Sequence, residues 1–187
     1  MHDRGTLFGA DRFADPARRS PTDVDGRTIV SDQQQVTKTV DASPEQMFAL
    51  LSQPERHTEF DGAGMLRGVE PGSENVTGTG DEFVMNMNND ALGDYQMKNT
   101  VVAYEENRKI GWAPTLHPID GYTDKLGDVK ATGHTWTWQL EPAGSGTKVT
   151  QVYDWSGVKD ENFRGFFPMI TEDQMSQTID KVANAAK

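Results

Sequence analysis

The sequence predicts an α+β fold in which a curved antiparallel sheet wraps a long C-terminal helix. Three observations carry that expectation. Alternation of apolar and polar residues with period two recurs between Asp81 and Trp155, each run bounded by turn signals. After Thr171 the pattern changes to helical spacing and stays so to the end. Strands and helices are therefore segregated along the chain, which is the order of an α+β domain and not of a parallel α/β one.

Residues 1–28 read as an N-terminal arm, rich in Asp, Arg, Gly, Pro and Ser, with Leu7, Phe8 and Phe13 as its large apolar groups beyond Met1. The domain itself is expected over residues 29–187. Gln35 to Val40 alternates as a strand, although Lys38 interrupts the apolar side formed by Val36 and Val40. A helix start follows: Ser43 is the N-cap, Pro44 occupies the first helical position, and Gln46 completes a capping box three residues on. Pro54 ends that helix, and Glu55 to Phe60 predicts a second short one. Leu66 to Gly68 gives a weak strand, and Asp81 to Met87 alternates with Phe83, Met85 and Met87 on one face. Tyr95 to Tyr104 and Lys109 to Ala113 form a hairpin about Glu105-Glu106-Asn107-Arg108.

Residues 114–130 hold Pro114, Pro118, Gly121 and Gly127 and are expected to be a loop over the mouth of the fold, with His117, Ile119 and Tyr122 meeting whatever binds there. Thr132 to Glu141 is the clearest strand, with His134, Trp136, Trp138 and Leu140 in phase. Lys148 to Trp155 is its partner, with Val149, Gln151, Tyr153 and Trp155 in phase. The closing helix has its own capping box, Thr171 with Gln174, and an apolar face of Met175, Ile179, Val182, Ala183 and Ala186.

Composition narrows the function. A chain of 187 residues fits one ordinary domain with a sizeable core. Its net charge of −11 repels phosphate backbones and anionic head groups, which argues against nucleic acid and membrane-surface partners. The absence of cysteine removes disulfides, thiolate nucleophiles and cysteine-based zinc sites together, and fits a reducing compartment. Met1 to Ala10 has no continuous apolar run and no stretch approaches a membrane span, so a soluble cytoplasmic protein without membrane insertion is expected. Four dispersed histidines give no metal-ligand spacing, and neither a metal nor a cofactor is expected.

Three stretches together carry a family resemblance: Val40-Asp41-Ala42-Ser43-Pro44-Glu45-Gln46-Met47-Phe48; Trp136 to Pro142 followed by Gly146-Thr147-Lys148-Val149-Thr150; and Tyr153-Asp154-Trp155-Ser156-Gly157. Over residues 30–187 the chain resembles the START-like superfamily, also called SRPBCC, with its helix-grip fold, and specifically the polyketide cyclase/dehydrase and lipid transport branch. The resemblance implies a hydrophobic cavity between sheet and helix. It implies no particular reaction, because one fold hosts many functions.

The candidate ligand-binding residues are Phe83, Met85, Met87, Tyr95, Met97, Trp112, Trp136, Trp138 and Tyr153, with Trp155 in the same phase as Tyr153. Singly, each reads as an ordinary core residue. As a group of adaptable thioethers and rigid aromatic walls they suit a flat or elongated apolar ligand. His117 joins them from the loop. His134, in phase with Trp136, is the candidate catalytic acid or base, the alternative being a core histidine satisfied by a backbone carbonyl. His57 follows Arg56 near a helix end and is expected at the surface. Glu59 and Asp61 flank Phe60, and with 29 acidic residues in the chain chance proximity accounts for them. Three functions stay open: carrier or sensor of a hydrophobic small molecule or lipid; cyclase or dehydratase of the polyketide type, which needs two converging ionisable groups; and a co-chaperone-like protein-binding module, for which Phe166, Phe167 and Met169 would form the exposed patch.

Overall fold

The computed structural model describes residues 31–90 and 92–187. The expected arm at 1–28, with Phe8 and Phe13, lies outside the described residues. Residues Asp32–Lys187 form one compact unit. Seven strands build a single sheet: β1 (Gln33–Val40), β2 (Leu66–Val69), β3 (Glu82–Asn89), β4 (Gly93–Glu105), β5 (Lys109–His117), β6 (Thr135–Ala143) and β7 (Gly146–Asp154). All neighbours are antiparallel, in the order β1-β7-β6-β5-β4-β3-β2. Register shifts at Leu66/Gly68 and Val101/Ala103 break the ladders, and bulges of this kind bend a sheet.

Helix α1 (Pro44–Leu51) and a 3₁₀ helix (Pro54–Glu59) fill the first crossover; α2 (Thr123–Leu126) and α3 (Glu161–Arg164) are single turns; α4 (Glu172–Ala185) closes the chain. Both expected capping boxes are present. Ser43 Oγ accepts from Gln46 N at 3.3 Å while Ser43 N donates to Gln46 Oε1 at 3.0 Å. Thr171 and Gln174 repeat the exchange at 3.2 and 2.9 Å. Each box satisfies orphan N–H groups that a helix start leaves open.

Helix α4 packs on β1 and β7 and on α1, and its Met175, Ile179 and Val182 are fully buried. Lys38, the apparent flaw in β1, points to the helix and not to the core: its Nζ donates to Ser176 Oγ at 3.1 Å and pairs with Asp180 at 2.5 Å. Gly62 lets the chain after the 3₁₀ helix press against α4. Its N donates to Thr178 Oγ1 at 3.0 Å, and a Cβ there would stand 2.2 Å from the Gln174 carbonyl oxygen.

One expected boundary is corrected. The strand expected to stop at Ala113 runs on to His117, pairing Pro114 with Asn99 and His117 with Gln96. Proline is tolerated there because β5 pairs with β6 only over Lys109–Trp112, so at Pro114 the β6 ladder no longer calls for the missing N–H, although Leu116 N further on donates to the Ala131 carbonyl at 3.1 Å.

Candidate functional site

A pocket of about 460 Å³ lies between the sheet and the segments that cover it. Its wall repeats the strand phases. Phe83, Met85 and Met87 come from β3, Tyr95, Met97 and Asn99 from β4, and Trp112, Pro114 and Leu116 from β5. Trp136 and Trp138 from β6 and Gln151 and Tyr153 from β7 continue it. Because side chains alternate along a strand, each of these sets is one face of its strand. The cover is supplied by His57, Phe60 and Asp61, by Met175 and Thr178 of α4, and by Phe163, Phe166, Met169 and Ile170. Nine of the expected ligand-binding positions in the strands thus face one space.

His117 does not. Counting from Trp112 through Pro114 and Leu116, it falls on the opposite face of β5, so the extension of that strand turns it away from the pocket wall. Nor do Ile119 and Tyr122 line the pocket. Ile119 is 44 % exposed, and the Tyr122 hydroxyl accepts from Gln96 N at 3.0 Å, holding the loop to β4. From the segment between His117 and His134 it is Leu126 and Ala131 that reach the wall. Trp155 is buried beside the pocket and not in it, stacked on Phe167 at 5.7 Å and 21°.

The two pocket histidines have different surroundings. His57, expected at the surface, is buried. In a 3₁₀ helix residues three apart eclipse, so His57 follows Pro54 inward and Phe60 follows His57, while Arg56 and Glu59 pair outside at 2.6–2.8 Å. Its Nε2 donates to the Leu51 carbonyl at 2.9 Å, and its ring stacks on Trp112 at 5.3 Å and meets Phe83 edge-on. Burial pushes its pKa down to about 4, against a smaller opposing effect of the Leu51 hydrogen bond.

His134 enters the pocket immediately before β6. Gly133, at φ +101°, precedes it, and a Cβ there would stand 2.5 Å from the Gly157 carbonyl oxygen, so only glycine permits this approach. The His134 ring touches Tyr153, Phe163 and Phe167 at 5.3–6.1 Å. Its Nδ1 has no hydrogen-bond partner among the described residues. Burial alone lowers its pKa to about 4, so it is neutral at physiological pH. Phe163 is held there by α3, whose N-cap Asp160 accepts from Phe163 N at 3.1 Å and from Lys130 N at 2.9 Å.

The remaining ionisable groups are closed on the protein. Asp61 accepts from the N–H groups of Ala63, Met65 and Leu66 at 2.5–2.8 Å. Desolvation raises Tyr95 to about 12, with Asn89 as its hydrogen-bond partner, and raises Tyr153 further still, against a smaller opposing hydrogen bond from the Met169 backbone. Trp136 and Tyr153, cross-strand partners, stack at 3.9 Å with their planes 4° apart. Four polar wall residues were not singled out from the sequence as site residues: Asn89, Thr178, Gln151, and Asn99, whose Nδ2 donates to the Met97 carbonyl at 3.2 Å. The signal was present, since Gln151 interrupts the apolar phase of Val149, Tyr153 and Trp155.

Residues 33–187 match the protein family described as polyketide cyclase/dehydrase and lipid transport. Among curated proteins the chain is 28 % identical over 136 residues to the uncharacterized protein Rv0088 of Mycobacterium tuberculosis, an overlap of 68 % of this chain and 52 % of that one. The chain spans about half the length of the curated relatives it matches. Among solved structures, protein Ms6760 of Mycobacterium smegmatis superposes with a TM-score of 0.59 at 12 % identity, covering 90 % of this chain and 96 % of that one. Protein CV1439 of Chromobacterium violaceum gives 0.57 at 13 % identity, covering 83 % and 96 %. At such identities these likenesses establish the fold alone. Among the described residues no helix is long and apolar enough to cross a membrane.

Proposed function

The chain belongs to the polyketide cyclase/dehydrase and lipid transport family, and on that premise we propose that it binds an apolar small molecule or lipid in the pocket, as a carrier or sensor that leaves its ligand chemically unchanged. The observation that carries this reading is the combination of a pocket of about 460 Å³, within the range of small-molecule sites, with a wall whose adjacent ionisable side chains among the described residues, His134 and Tyr153, are both kept uncharged by burial. His134 stands among aromatic rings without a partner at Nδ1, and Asp61 is occupied by three backbone N–H groups. A general base with its pKa near 4 is a weak base at neutral pH, and it has no proton to give as an acid. The protein-binding alternative is less well supported, because Phe166 and Met169, exposed at 53 % and 40 %, also line the pocket and so read as its rim.

Native mass spectrometry of the protein purified from its own host tests the reading. A discrete adduct of small-molecule mass, released unchanged by organic extraction, is the expected result. Bare chain mass under gentle desolvation, with no adduct regained after incubation with a lipid extract of that host, would reject it.

A further inference from the structure

Six of the chain's eight methionines line the pocket: Met65, Met85, Met87, Met97, Met169 and Met175. With no cysteine in the chain, these thioethers are the sulfur that an oxidant can reach. They are graded by depth. Met85, Met97 and Met175 are only 2 %, 8 % and 1 % exposed, Met65 and Met87 are half-buried, and Met169 is 40 % exposed. Among the described residues Met169 is thus the methionine that is exposed to solvent and at the same time forms part of the pocket wall. Its place is fixed from both sides. The Met169 N–H donates to the Tyr153 hydroxyl, and Phe167, two residues earlier, packs on Tyr153 at 5.7 Å and stacks on Trp155. Phe163, anchored by Asp160, lies against His134. The segment that carries Met169 is therefore seated on the wall, and its thioether stands at the mouth.

A thioether in that position can exist in two chemical states. As methionine it is flexible and apolar and fills an irregular gap. As the sulfoxide it carries a strong acceptor oxygen that is costly to keep against an apolar surface. Resting on the pocket-binding reading above, we propose that Met169 is an oxidation site through which hydrogen peroxide weakens the hold of the pocket on an apolar occupant. The Sδ lone pair attacks one peroxide oxygen, and the O–O bond breaks as the S–O bond forms. The proton of the transferred oxygen passes to the departing hydroxide, which leaves as water. The sulfur loses two electrons and the peroxide gains them. The sulfoxide oxygen then turns to water or draws water into the mouth, and the apolar contact at the rim is lost. Depth shields Met85, Met97 and Met175 from the same reagent, so oxidation begins at the rim and spares the wall. Methionine sulfoxide reductases return the thioether, which makes the change reversible.

The test treats the full chain with hydrogen peroxide at neutral pH until the mean uptake is a single oxygen atom. Peptide mass mapping then locates that oxygen, and the uncharged fluorophore N-phenyl-1-naphthylamine is titrated before and after treatment. The expected result is that Met169 is oxidised before Met65 and Met87, that Met85, Met97 and Met175 stay unmodified, and that probe affinity falls about fivefold. Methionine sulfoxide reductases acting on both sulfoxide epimers, with dithiothreitol as reductant, should restore the affinity. In Met169→Leu the same dose of peroxide should leave affinity at that variant's own untreated value. Met169→Gln, which places a polar group at the same depth, should bind the probe weakly without peroxide. The proposal is overturned by a first oxygen on any other methionine, by unchanged affinity of protein oxidised at Met169, or by an equal loss in Met169→Leu. Each of these leaves the pocket-binding reading standing, because the untreated protein still binds the probe. Should the variants not fold, the wild-type map and affinities still decide. Untreated wild type that does not bind the probe would overturn the proposal together with the reading beneath it.

Discussion

His57 and His134 line the same pocket, are buried to similar degrees and have similarly depressed pKa values, yet they belong to different kinds of region. Around His57 the packing is closed: the imidazole is bonded to Leu51, stacked on Trp112, and tied through Phe60 and Phe83 into the main core. Around His134 the neighbours are the aromatic rings of β7 and the 163–167 segment, and Nδ1 is left open. The contrast shows that depth and a shifted pKa do not by themselves identify a functional group. What separates the two histidines is whether the protein has already used their hydrogen-bonding capacity.

The largest expected effect comes from acid. Each imidazole titrates near 6.5 when unfolded and near 4 when folded, so the unfolded chain takes up protons first. Stability should be full above pH 6.5 and fall as the pH drops towards 4, by roughly 2 kcal/mol for each histidine at about pH 5. Urea denaturation across that window checks it, and His134→Phe should halve the loss. A variant whose pH dependence matches the wild type would show that His134 does not share the depressed pKa of His57.

Next in size is His57→Ala, which removes a buried hydrogen bond and a stacked ring and should destabilise the fold by about 3 kcal/mol at neutral pH in urea denaturation. Gly62→Ala follows. The added methyl meets the backbone of α4 at Gln174, so a loss of about 2 kcal/mol is expected, read as a lowered denaturation midpoint with unchanged slope. The smallest effect belongs to His134→Phe. Removing a polar atom that has no partner should leave thermal stability at neutral pH within about 1 kcal/mol of wild type. A loss as great as that of His57→Ala would reveal a structural bond and erase the distinction.

Much of the fold can be read from the sequence because its local rules agree with its tertiary packing. The alternation of Phe83, Met85 and Met87, and of Trp136 and Trp138, is the alternation of the sheet face itself. The two capping boxes mark α1 and α4 at the positions where those helices begin. Where the reading goes astray, local pattern and three-dimensional context separate. Pro114 looks like the end of a strand and is one only if both neighbours pair there. His57 looks exposed beside Arg56, and becomes buried because a 3₁₀ turn rotates by 120° per residue, which no apolar periodicity announces over six residues. Which polar atoms in the wall lack partners is a property of three-dimensional neighbours and has no signature in sequence.

Three of the chain's four tryptophans stand in this wall: Trp112 opposite Trp136 across the β5–β6 pairing, Trp136 flat against Tyr153, and Trp138 deeper on the same strand. Their transition dipoles are near enough to couple, so the wall acts as an optical antenna with a fixed handedness. An occupant displaces the medium next to all three at once, while Trp155 stays outside as an internal reference. The near-ultraviolet circular dichroism and intrinsic emission of the protein should therefore respond to filling of the pocket, with no label attached to protein or ligand.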